Sequence, residues 1–166
     1  MEELSRGPSR VAEELGRLGV SNTVREMPES TRTAAEAATA LRCDVAQIVK
    51  SLIFRSVADD EVLLVLVSGA DRVDESRLSQ VVGGEVERAD GRFVRDRTGY
   101  AIGGVPPVGH IRPVATYLDE HLLDHAVVWA AAGTPKAVFS VEPADLVRIT
   151  SAKVVAVAAA QDPVGG

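Results

Sequence analysis

Lys50, with Ser51 beside it, interrupts an otherwise apolar run, Ile48-Val49-Lys50-Ser51-Leu52-Ile53-Phe54. Strand alternation puts it on the face of Ile48, Leu52 and Phe54, which should point inward. Burial penalises the ammonium unless an anion, a carbonyl or a partly wet pocket compensates. Such a lysine is either a site residue or the end of a helical turn whose amine snorkels to water, and parity alone leaves both open. A second candidate is the loop Gly103-Gly104-Val105-Pro106-Pro107-Val108-Gly109-His110. Its paired glycines let backbone amides approach a ligand, and its prolines stiffen the chain without donating hydrogen bonds. The loop is therefore either an oxyanion-type cradle or an ordinary turn. It is not a phosphate loop, because neither the Walker spacing nor G-x-G-x-x-G occurs.

Three further groups read as structural first. Ala130-Ala131-Ala132-Gly133-Thr134-Pro135 offers small side chains that suit a pocket wall or close backbone packing. Asp71-Arg72-Val73-Asp74 fits helix capping and ion pairing at a strand-to-helix junction. His121 and His125 would share one helical face beside Asp119, Glu120 and Asp124, but H-E-x-x-H is incomplete and no cysteine pair adds ligands. Cys43 is expected to be a small buried thiol.

The elements that must position these groups follow from periodicity and caps. Pro8, Val11, Leu15 and Leu18 mark an amphipathic helix that stops at Gly19. Thr33 should cap a second helix running to Leu41, with Glu36 completing a capping box. Asp44 caps a short turn before the Lys50 strand. Val62 to Val67 is apolar on both parities, which predicts a central strand covered on both faces and paired with the Lys50 strand as a hairpin. Asp74 to Val82 predicts a helix ending at Gly83-Gly84. Asp90 to Arg97 predicts a short exposed helix or turn. Further strands are expected at 85–89, 100–102, 114–118, 126–131, 137–141 and 153–159, with helical turns at 119–124 and 143–147. Strands in runs between short helices predict an α/β chain of the α+β type. Its sheet should be mixed, largely antiparallel and surrounded by helices.

At 166 residues the chain fits one domain, 1–160, followed by a frayed tail, 161–166. It carries 18 Lys+Arg against 24 Asp+Glu, a net charge of −6, so any contact with RNA must be local. No apolar run approaches the roughly 20 residues that span a bilayer. The start lacks a signal-peptide pattern and the single cysteine allows no internal disulfide, so the expected compartment is the cytoplasm. Arginine outnumbers lysine fifteen to three, which reads mainly as codon bias.

Five segments together resemble the YbaK/ProX family of aminoacyl-tRNA deacylases, which includes the editing domain inserted in bacterial prolyl-tRNA synthetases. They are Thr33 to Ala38, Gln47 to Phe54, Gly69 to Asp74, Thr98 to Gly109 and Ala131 to Gly133, in register over nearly the whole chain. The resemblance implies the editing-domain fold, with a curled sheet. It makes Lys50 the catalytic-site lysine and Gly103 to Pro107 the G-x-x-x-P loop, with Gly103 or Gly104 offering main-chain groups. It places substrate contacts at Thr33, Val105, Pro106, Pro107, Gly109, His110, Ala131 and Gly133. The implied reaction is trans-editing: hydrolysis of the ester on a mischarged tRNA, most simply tRNA(Pro) carrying alanine or cysteine, without metal or cofactor. A synthetase pocket excludes a smaller side chain weakly, so a second sieve is needed. Implied partners are the tRNA acceptor end and prolyl-tRNA synthetase or an elongation factor, with the chain a monomer or homodimer. Ala131 stands where cysteine-specific members carry serine, and His110-Ile111-Arg112 replace lysines after the loop. The rival readings are a non-catalytic tRNA- or protein-binding module of the same fold, and a metal-assisted hydrolase using His121 and His125.

Overall fold

The computed structural model describes residues 6–20 and 24–160, so the expected tail 161–166 lies outside the described residues. Helix α1 (Arg6–Arg17) buries Pro8, Val11 and Leu15, the stripe its spacing predicts. Strand β1 (Arg25–Glu26) follows, then α2 (Ala34–Leu41), where the Thr33 hydroxyl accepts the Glu36 amide at 3.1 Å. A 3-10 turn, Val45–Gln47, leads into the hairpin of β2 (Val49–Ser56) and β3 (Glu61–Ser68). Next come β4 (Asp71–Val73), α3 (Glu75–Val82) capped by the Asp74 carboxylate, and β5 (Val86–Arg88). Helix α4 (Gly91–Thr98) is capped by Asp90 and stopped by Gly99 in the left-handed conformation. The chain continues through β6 (Ala115–Asp119), a 3-10 turn Glu120–Asp124, β7 (Val128–Ala131) and β8 (Ala137–Val141). It ends with α5 (Pro143–Thr150), β9 (Lys153–Val155) and β10 (Ala158–Ala160).

The main sheet has the order β5-β2-β3-β6-β9. β2 is antiparallel to both β3 and β5, whereas β3-β6 and β6-β9 are parallel, so the sheet is mixed as expected. Two antiparallel sheets accompany it, β1-β8-β7 and β10-β4. Strand β3 is covered on both faces: Leu64 and Leu66 join one core with Val11, Leu15 and Phe139, while Leu63, Val65 and Val67 join another with Phe54 and Leu78. That division explains why its sequence is apolar at every position from Val62 to Val67.

Two sequence expectations are corrected. Residues 100–102 form a turn and not a strand. The Tyr100 hydroxyl donates to the Gly109 carbonyl at 2.7 Å and the Gly104 amide to the Ala101 carbonyl at 3.0 Å, so this segment folds onto its own loop. The single strand expected over 153–159 is two strands in different sheets. Asp119, fully buried, takes the Val157 and Ala158 amides on one carboxylate oxygen at 2.9 and 3.0 Å, and the break falls there.

Candidate active site

The edge of β2 that faces away from β3 is only partly paired. β5 covers it at Phe54 to Ser56, and Ile48 makes an isolated parallel bridge to Trp129. Between these points no strand among the described residues pairs with this edge. The Ile53 carbonyl on this edge accepts the Ala89 amide, and the period of two puts the main-chain groups of Ser51 on the same edge. A cleft of about 310 Å³ occupies this gap. Its walls are the start of α2, the stretch Ile48 to Leu52, the turn residues Ile102, Gly103 and Val105, and Trp129 to Ala131 of β7.

Lys50 lines the cleft, and its Nζ donates to the main-chain carbonyl of Asp71. Half-burial lowers its pKa, Arg88 lowers it further by repulsion, and Asp71 pulls the other way. The amine is thus not free in solvent, and a main-chain carbonyl supplies compensation that its burial requires. Ser51, its neighbour, lines the same cleft with a buried Oγ that has no hydrogen-bond partner.

The loop glycines divide their roles. Gly103 lines the cleft at φ +88°, and a Cβ there would collide with the Arg32 stem. Gly104 sits against the backbone of Thr134, and its amide is committed to Ala101, so it has no donor to aim at a ligand. Val105, Thr33 and Ala131 line the cleft with Lys50 and Gly103. Pro106 does not line it; its carbonyl faces His110 Nε2 at 2.7 Å. Pro107, Gly109 and His110 line a separate depression beside α5. Gly133, at φ +103°, packs on the Gly7 backbone of α1, where a Cβ would stand 2.8 Å from a main-chain carbon. Of the small-residue stretch, Ala130 and Ala131 form cleft wall, and Gly133 serves close backbone packing.

His110 fixes the loop by its contact with Pro106 and an edge-on contact with Tyr100. Burial lowers its pKa, partly opposed by that carbonyl. His121 does not pair with His125: its Nδ1 meets Asp71 Oδ2 at 2.8 Å and Asp119 Oδ2 at 3.6 Å. The contact with Asp71 raises its pKa. These three side chains are the group whose ligand atoms converge among the described residues. Cys43 is half-buried outside the cleft, and burial followed by the Asp44 charge pushes its thiol up, away from a nucleophilic thiolate.

Sequence reasoning missed Arg32, Ser51, Ile102 and Trp129 in the cleft. Ser51 was discoverable as the residue beside Lys50. Trp129, the single tryptophan, precedes the small-residue stretch by one position.

The site is thus a small cleft at an open strand edge, with one lysine and a glycine-built turn, on a mixed α/β fold. That class of protein is identified by comparison. Residues 28–149 match the family model described as "Aminoacyl-tRNA editing domain", and the chain belongs to this family. An uncharacterized protein YwhH of Bacillus subtilis (strain 168) is 30% identical, over 80% of this chain and 84% of that protein. A proline--tRNA ligase of Brachyspira hyodysenteriae is 31% identical, over 45% of this chain and 13% of the ligase, so the chain spans only a small part of that enzyme. A crystal structure described as that of a candidate trans-editing enzyme for prolyl tRNA synthetase superposes with a TM-score of 0.87 at 45% identity, covering 96% of this chain and all of that one.

Proposed function

We propose that this chain is a free-standing aminoacyl-tRNA deacylase that hydrolyses the ester of mischarged tRNA, with tRNA(Pro) carrying a small residue such as alanine or cysteine as the substrate class. The observation that carries this reading is the cleft that holds Lys50 and Gly103 in one concavity. In the reaction, water attacks the ester carbonyl carbon, the bond to the ribose oxygen breaks, and that oxygen takes the proton. Free amino acid and uncharged tRNA result. An aminoacyl ester is already activated, so positioning and a few aimed donors supply most of the acceleration. Lys50 anchors a phosphate or polar group of the acceptor end. The Gly103 amide is the donor offered to the developing oxyanion, and a ribose hydroxyl of the substrate orients the water. Thr33, Val105 and Ala131 bound the space for the amino acid. The substrate's location makes the cytoplasm the working compartment.

A deacylation panel tests this: tRNA(Pro) charged with Ala, Cys, Ser or Pro, each with and without chelator. Hydrolysis of a small non-cognate ester with Pro-tRNA spared is expected. No turnover of any ester would leave a non-catalytic binding module, and loss with chelator would move the chemistry to the Asp71, Asp119 and His121 cluster. Since a net charge of −6 gives no general attraction to RNA, prolyl-tRNA synthetase or an elongation factor should raise the rate by delivering the substrate. Unchanged kinetics on adding either would remove the partner.

A further inference from the structure

An acidic protein that handles RNA must concentrate positive charge somewhere, and the structure does so beside the cleft. A second groove, of about 490 Å³, is lined by Arg32, Arg92 and Arg95 together with Ile102. Arg32 and Ile102 also line the cleft, so the two depressions adjoin at these residues. Arg32 is held at the junction: its aliphatic stem lies against Gly103, where only a glycine leaves room, while the residue as a whole stays exposed. Arg92 and Arg95 are three apart on α4, hence on one helical face with Cβ atoms about 5–6 Å from each other. Among the described residues, the ion pair formed on this face is a loose one. Arg92 faces Asp96 only loosely, at 3.9 Å with 92% of its side chain exposed, and the Asp90 carboxylate is turned to the Phe93 amide. Arg55, by contrast, is closely paired, meeting Asp60 at 2.5 Å and Glu87 at 2.7 Å. At the junction Ile102 remains 44% exposed, an apolar surface between the cations and the cleft.

We propose that this groove is the track for the phosphates of the RNA strand whose 3′ end lies in the cleft, with Arg95 and Arg92 on the strand and Arg32 at the turn into the site. The identity of the strand rests on the deacylase reading, and the groove itself is tested without it. Guanidinium groups suit phosphate geometry, and each contact releases condensed counterions, so the interaction is read as a salt slope.

The test compares the wild type with R92Q/R95Q and R92K/R95K. Binding of an uncharged, CCA-ended acceptor-stem hairpin is measured by anisotropy across a salt series. The glutamine pair should weaken binding about tenfold and reduce the log–log salt slope by about 1.4 to 1.8, while the lysine pair keeps most of that slope. In hydrolysis, the glutamine pair should raise KM for aminoacyl-tRNA about tenfold and leave turnover of a 3′-aminoacyl adenosine, which ends short of the groove, unchanged. A wild-type slope in R92Q/R95Q, or equal losses on both esters, overturns the track. If the wild type hydrolyses neither ester but the slope falls as stated, the track stands and the deacylase reading fails.

Discussion

At the scale of single residues the chemistry turns on the Lys50 amine. If it anchors a phosphate or polar group of the acceptor end, Lys50→Ala should lose most turnover, about 100-fold or more. Lys50→Arg should recover only part of it, since a planar fork does not replace a compact ammonium in a small cleft. Deacylation rates of purified variants, corrected for enzyme-free hydrolysis, check both. The charge state gives a second prediction. Burial lowers the Lys50 pKa first and Arg88 lowers it next, so an activity that needs the ammonium fades at lower pH than for an ordinary lysine. Arg88→Ala removes the repulsion, and the alkaline limb of the pH–rate profile should move to higher pH; an unmoved limb would separate that limb from Lys50. The position of Lys50 on an inward face was legible from Leu52 and Phe54. Its bond to the Asp71 carbonyl was not, because that contact joins residues 21 apart and depends on where β4 leaves the hairpin. The unpartnered Ser51 hydroxyl was hidden for the same reason: burial at an open strand edge is decided by β5 and Trp129, not by the local pattern.

At the scale of elements, caps and periodicity were the readable signals. Thr33, Asp74, Asp90 and Gly83 mark helix ends where the structure has them, because each satisfies a local backbone need. Residues 100–102 misled because a β-prone trio after a helix stop looks like a strand, while the decisive bond, Tyr100 to Gly109, is a loop contact. The strand break after Val155 was invisible because Asp119, 38 residues before Val157, supplies it by accepting that residue's amide. Two glycines on this framework separate a site role from a packing role. Gly103→Ala introduces a left-handed alanine, costing about 1–2 kcal/mol, and drives a methyl into the Arg32 stem at the cleft mouth. It should lower the melting temperature modestly and kcat/KM strongly. Gly133→Ala meets rigid backbone at Gly7 instead, so its melting temperature should fall further, while KM of the remaining folded enzyme stays at the wild-type value. Melting curves and kinetics on the same preparations decide this, and a KM that rises in Gly133→Ala would return Gly133 to the cleft.

Across the whole molecule, two histidines tie stability to pH with opposite signs. Half-buried His110 has a pKa below its unfolded value, chiefly through desolvation, so the unfolded chain binds more protons between the two values. Its contribution is intact above the unfolded pKa of about 6.5 and is lost as pH falls below it. His121 has a raised pKa because of Asp71, so its contribution is present below about 6.5 and disappears as pH rises through the higher folded value. That side chain is 53% exposed, so solvent screens the pair and the His110 effect should dominate. Urea unfolding at about pH 7.5 and about pH 5.5, above the range where most carboxylates titrate, isolates the two. The wild type should be less stable at the lower pH. His110→Gln, whose side-chain amide can still donate to the Pro106 carbonyl but cannot take up a proton, should flatten that difference. His121→Gln should steepen it, because the opposing contribution is gone. A His110→Gln variant that keeps the full acid-side loss would place the titrating group elsewhere, and the loop would then be held by packing around Tyr100 and not by a neutral imidazole.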